Sequence, residues 1–199
     1  MLELIMADIE KLKQLRQETC VSLSECKKAL EESKDDIDKA KEILRKWGKT
    51  LAGKKTERIT NQGIVETYVH PNKRIGVMIE LRCESDFVAR SEEFQKLAHE
   101  LCLQIAAANP LFIKEEDIPE HFLDGEKEIY LEQIKDSGKP QKIIDQIIEG
   151  KLNKYLDEIC LLRQAWIKND TRTIQDLTDE NISRIGENIV VKKFARYDI

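Results

Sequence analysis

Hydrophobic residues recur every three to four positions through the first fifty residues, in three separate stretches. The first runs from about Ala7 to Gln17, with Ile9, Leu12 and Leu15 on one face. The second opens at Ser22-Leu23-Ser24-Glu25. There a serine followed three residues later by a glutamate has the form of a capping box, which satisfies free N–H groups in both directions. Its apolar face is Leu23, Cys26, Ala29 and Leu30. The third follows Ser33-Lys34-Asp35-Asp36 and carries Ile37, Ala40, Ile43, Leu44 and Trp47, with Gly48 as its expected end. Three helices this short enclose a very small core, so the pattern predicts a docking module attached to something larger.

The pattern then changes. From Lys46 to Arg58 the chain is basic and interrupted by Gly48 and Gly53. Such a run reads either as a solvated linker or as a contact to an acidic partner. Residues 64–70 are rich in β-formers, Pro71-Asn72-Lys73-Arg74 is a turn signal, and Ile75, Val77, Ile79, Leu81 and Cys83 alternate with other residues. This predicts a hairpin whose second strand buries one face. Helical spacing returns at Ser91, with Phe94, Leu97, Ala98, Leu101, Cys102 and Ile105 as the stripe and Asn109-Pro110 as the stop. Further helices are expected over 119–135, 140–148 and 151–160, with Gly138-Lys139-Pro140 dividing the first two. The C-terminal part predicts a helix over 173–185 ended by Gly186, then a strand over 188–197. The class that follows is α+β: an N-terminal three-helix module over 1–48, a basic linker over 49–62, and a core over 63–199 with a small antiparallel sheet covered by helices.

Between the hairpin and the next helix lies Cys83-Glu84-Ser85-Asp86-Phe87-Val88-Ala89-Arg90. A strand-to-helix junction ordinarily takes small polar residues. Here an acid sits beside a large aromatic ring, and the residues alone leave two places for Phe87: folded into the core, or held out for something else.

Composition narrows the function classes. The charged fraction of 36% marks a well-solvated surface, and the net charge of −5 argues against a nucleic-acid binder. The aromatic fraction of 6% argues weakly against a base-stacking platform. The five cysteines, Cys20, Cys26, Cys83, Cys102 and Cys160, form no CxxC pair and read as free thiols in a reducing compartment. No apolar run reaches the length of a membrane span, and the start MLELIMADIE lacks the flank and apolar core of a signal peptide. A cytoplasmic protein with no membrane partner is the expectation.

Motifs for covalent chemistry are missing. Neither a phosphate-binding glycine loop nor GxSxG or HExxH occurs, and His70, His99 and His121 are not at metal-ligand spacing. His99 lies near its helix stripe and reads as structural. Glu84 and Asp86 alone make a poor metal cage, so a metal-dependent hydrolase is a weak rival. The expectation is a non-enzymatic binding protein with no metal and no cofactor.

Four segments together carry a family resemblance. CESDFVAR is similar to the Thr-Asp-Phe-Val-Ala signature of translation elongation factor Ts. LRQETCVSLSECKKALEES at 15–33 resembles that family's N-terminal motif, and residues 76–110 resemble its core. KIIDQIIEGKLNKYLDEICLL at 142–162 and IGENIVVKKFAR at 185–196 resemble its C-terminal part. The resemblance implies a guanine nucleotide exchange factor for elongation factor Tu. It implies a ubiquitin-associated-like N-terminal module that packs on the partner's GTPase domain through Arg16, Leu23 and Lys27. It also implies a wedge of Ser85, Asp86, Phe87 and Val88 that enters near the partner's Mg²⁺ and phosphate site. The chain resembles the short members, which pair as homodimers. Ser85 stands where threonine is usual, Gln164-Ala165-Trp166 replaces Gln-Pro-Phe, and Ala195 precludes a disulfide across a dimer. Two rival classes remain: an adaptor for ubiquitin-like proteins, and a ribosome- or RNA-associated protein using Lys46 to Arg58.

Overall fold

The computed structural model describes the backbone of residues 2–19, 21, 23–135 and 140–199, and their side chains except those of 2–8 and 51. Ser22 of the expected capping box, Cys20, Gly138 and Lys139 lie outside the described residues. The N-terminal helices are α1 (Leu2–Thr19), α2 (Leu23–Ser33) and α3 (Ile37–Gly53). Lys34 and Asp35 take left-handed φ values of 56° and 62° between α2 and α3. Asp36 then caps α3 by accepting the Lys39 N–H at 3.1 Å. The three helices close on Leu15, Cys26, Ala29, Leu30, Ala40 and Leu44, with Leu12, Ile37 and Trp47 packed around them.

Two boundaries differ from the sequence expectation. Helix α1 begins well before Ala7, and α3 runs through Gly48 to Gly53. Gly48 is buried in mid-helix, and a Cβ built on it would meet Ser183 at 3.7 Å. That is an ordinary contact distance, so the space there admits a side chain, and the helix continues through this glycine without ending.

The hairpin follows as β1 (Gln62–Val69) and β2 (Ile75–Cys83). Val77, Ile79, Leu81 and Cys83 are all buried, as the period of two requires. A single helical turn, α4 (Asp86–Ala89), leads into α5 (Glu92–Ala108). Phe94, Ala98, Leu101, Cys102 and Ile105 of α5 are fully buried, and the helix stops before Asn109, whose φ is 46°. Then come α6 (Glu120–Ile134) and α7 (Gln141–Ile159). Helix α7 passes straight through Gly150, so the two segments expected there are one helix.

A short hairpin, β3 (Ala165–Trp166) and β4 (Asn169–Thr173), carries no apolar alternation and is absent from the sequence reading. The chain ends with α8 (Ile174–Ile185) and β5 (Val190–Asp198). Gly186, at φ 89°, closes α8 by donating its N–H to the Ile182 carbonyl. The main sheet has the order β1-β2-β5, so the strand with the most regular alternation is central.

Packing divides the chain into two units. One comprises residues 1–64, 82–97 and 178–190; the other comprises 65–81, 98–177 and 191–199. The first holds the three-helix core and the turn around Phe87. In the second, Ile118, Leu156, Ile159 and Cys160 form a buried cluster flanked by Phe112, Phe122 and Tyr155. Burial pushes the thiols of Cys83 and Cys160 up to about 11 and that of Cys102 to about 12, so these cysteines are packing residues rather than nucleophiles. No described helix is long and apolar enough to cross a membrane.

Candidate partner-binding site

The CESDFVAR junction is built from the end of β2 and the start of α5. Ser85 sits in extended backbone (φ −117°, ψ 155°) and caps α4 by accepting the Val88 N–H on its hydroxyl at 3.3 Å. Ser91 repeats this for α5, accepting the Phe94 N–H at 3.3 Å while its own hydroxyl donates to the Val88 carbonyl at 2.8 Å. Between these two caps the chain turns once. Ala89 faces inward and is buried; Phe87 faces outward and is 83% exposed. Val88 is half-buried beside it. Asp86 pairs with Arg90 at 3.4 Å, and both side chains are mostly in water, so this pair adds little to stability. The four predicted residues Ser85, Asp86, Phe87 and Val88 thus share one turn. The open question about Phe87 is answered: the ring is held out.

The root of this turn is polar. The Glu187 carboxylate accepts the N–H of Glu84 at 3.1 Å, the N–H of Ser85 at 3.0 Å and the Ser85 hydroxyl at 2.7 Å. Glu84 in return accepts the Asn188 N–H at 2.7 Å and faces Arg58 at 3.5 Å. Asn188, only 2% exposed, donates to the carbonyls of Thr56 and Arg58. Lys55 donates to the Ile182 carbonyl at 3.3 Å. The end of the basic run is therefore tied down within this unit. Glu187 and Asn188 escaped the sequence reading. The one signal for them was their place directly after Gly186 in the C-terminal segment.

The second group of predicted residues lies on α1 and α2. Arg16 and Leu23 line one open groove together with Ile9, Leu12, Lys13 and Gln17. Ile9 is 45% and Leu23 46% exposed, although both keep step with the buried stripe of their helix. Lys27 is exposed one turn beyond Leu23 and pairs with Glu31 at 3.9 Å. No group of three or more His, Cys, Asp or Glu among the described residues is placed to hold a metal ion. His99 faces Glu66 at 3.4 Å and packs edge-on against Tyr68.

The family model described as "Elongation factor TS" matches residues 5–199. The chain belongs to the elongation factor Ts family. The Elongation factor Ts of Petrotoga mobilis is 52% identical over 191 residues, covering 96% of this chain and 97% of that protein. The Elongation factor Ts of Thermosipho melanesiensis is 50% identical over 94% of this chain and 96% of its own length. That of Caldanaerobacter subterraneus subsp. tengcongensis is 47% identical over 97% and 96%. The elongation factor Ts match includes both the turn bearing Phe87 and the groove from Ile9 to Leu23. Both features therefore belong to a translation factor.

Proposed function

We propose that this chain is a guanine nucleotide exchange factor for elongation factor Tu, releasing GDP by disturbing the partner's Mg²⁺ and phosphate site. The observation that carries the reading is Phe87, 83% exposed on a capped and rooted turn. A ring in that position gives the fold nothing. Buried in a partner, it supplies roughly 1.5–3 kcal/mol, available to separate the elements lining the nucleotide site. Asp86 sits beside it and brings a negative charge toward a site whose cation neutralises phosphate. Because coupling is reciprocal, nucleotide that binds tightly must weaken the exchange factor's binding by the same factor, so incoming nucleotide expels it. The work is all binding energy, which requires no catalytic residue and no cofactor in this chain. The test is release of labelled GDP from elongation factor Tu with and without the protein. Acceleration is the expected result; an unchanged rate rejects the reading.

The groove of Arg16 and Leu23, with Lys27 beyond it, is the docking surface for the GTPase domain in this reading. Leu23 has about half its side chain left to bury, worth roughly 1 kcal/mol, so Leu23→Ala should raise the half-saturating concentration about five-fold. The plateau rate should be unchanged, because the groove binds ground state and exchange intermediate alike. A lowered plateau with unchanged half-saturation would remove Leu23 from docking.

Two copies of the chain pair as a homodimer in the same reading. The support is the open face of the main sheet, where Val65 is 61%, Val69 62% and Met78 52% exposed. Ala195 offers no sulfur to lock the pair, so the contact is packing alone. Sedimentation at micromolar concentration should give a dimer for the wild type and a monomer for Met78→Lys. A monomeric wild type rejects the pairing.

A further inference from the structure

We infer that Glu187 is a positioning residue for exchange, whose carboxylate holds the Phe87 turn in the one shape that fits the partner. The inference rests on the wedge reading above. Helix α4 has four residues, too few to persist by its own backbone bonds, and Phe87 makes no burial that would hold it. Beyond the buried Ala89 and the Ser91 bond to the Val88 carbonyl, what shapes it is the root. There two carboxylates cross. Glu187 accepts two N–H groups and one hydroxyl from Glu84 and Ser85, and Glu84 accepts the N–H of Asn188, the neighbour of Glu187. Each bond ends on a carboxylate oxygen, which makes it stronger than a neutral one.

Ser85 links the clasp to the turn. Its hydroxyl donates to Glu187 at 2.7 Å and accepts the Val88 N–H at 3.3 Å, so fixing the hydroxyl also fixes the cap of α4. Gly186, left-handed at φ 89°, bends the chain out of α8 immediately before Glu187. Asn188 anchors the far side on the Thr56 and Arg58 carbonyls. The turn is thereby arranged before the partner arrives, and its ordering cost is not subtracted from binding. Without Glu187, the N–H groups of Glu84 and Ser85 lose their acceptor. The turn then spends only a fraction of its time in the competent shape. Docking through the N-terminal groove is untouched, so the loss falls on the plateau rate of exchange.

The experiment is a double-mutant cycle on labelled-GDP release from elongation factor Tu, with wild type, Phe87→Ala, Glu187→Ala and the double variant. Glu187→Ala should lower the plateau rate about ten-fold, with half-saturation changed less than about two-fold. In the Phe87→Ala background the same substitution should cost less than about two-fold, because both act through one turn. Amide hydrogen exchange at residues 84–88 of the free protein should rise in Glu187→Ala. A wild-type rate in Glu187→Ala, or an equal loss in both backgrounds, overturns the inference; the second outcome marks Glu187 as structural only. A wild-type rate in Phe87→Ala sinks the wedge reading and this inference with it, and it is read independently of Glu187. Where Glu187→Ala fails to fold by circular dichroism, Glu187→Gln enters the same cycle. Its carbonyl keeps one acceptor for the N–H groups but presents an amide N–H to the Ser85 hydroxyl. A partial loss is expected, and wild-type behaviour overturns the inference.

Discussion

Replacing Phe87 with alanine is expected to slow GDP release by about ten- to one-hundred-fold, since the ring's burial is worth roughly 1.5–3 kcal/mol and each factor of ten is about 1.4 kcal/mol. The folded protein should be as stable as before. Phe87 is 83% exposed, so its removal opens no cavity, and surface changes of this kind usually shift stability by less than about 0.5 kcal/mol. The α4 cap survives because it uses the Ser85 hydroxyl and the Val88 N–H, not the ring. Activity and stability therefore separate in one variant. Thermal melting and stopped-flow release of labelled GDP check both halves. A variant that melts with the wild type and exchanges as fast would mean that the exposed ring is idle.

The largest expected effect on stability comes from Gln104, a polar residue that is 0% exposed within α5. Its amide nitrogen donates to the Gln164 side-chain oxygen and the Ala165 carbonyl, both at 3.1 Å. Its oxygen accepts the Ile167 N–H at 2.9 Å. Gln164, also buried, continues the network to the carbonyls of Ala108 and Glu158. This network holds the entry to the short β3–β4 hairpin, where alanine replaces the proline usual in the family. Gln104→Leu keeps the volume but strands one N–H and two acceptors. At about 1–3 kcal/mol for each buried orphan, partly relieved by relaxation, a loss of about 2–4 kcal/mol is expected. For a chain of this size that lowers the melting temperature by roughly 5–15 °C. A midpoint within about 2 °C of the wild type would mean that water or rearrangement satisfies the groups, contrary to the expectation.

Helical periodicity located the three N-terminal helices and α5, because a buried face leaves its mark every three to four residues. Phe94, Leu101 and Ile105 were legible as core and are fully buried. The same periodicity placed Ile9 and Leu23 on buried stripes, and both are nearly half exposed. A partly exposed apolar face and a core face carry the same residue types at the same spacing, so the pattern cannot separate them. Gly48 shows a similar limit. Its permissiveness suggested a helix end, but α3 continues through it to Gly53.

From the sequence by itself came the α+β class, the regular alternation of the central strand, the family and the turn on which Phe87 sits. These depend on local spacing, or on residue identity along contiguous segments. The tertiary structure decided whether the ring points in or out and what holds it there. Its root joins Glu84 and Ser85 to Glu187 and Asn188 across 102 to 104 positions of chain. Hydrogen bonds between charged and polar residues leave no period to read. Their partners are chosen only when β2 and the end of α8 meet.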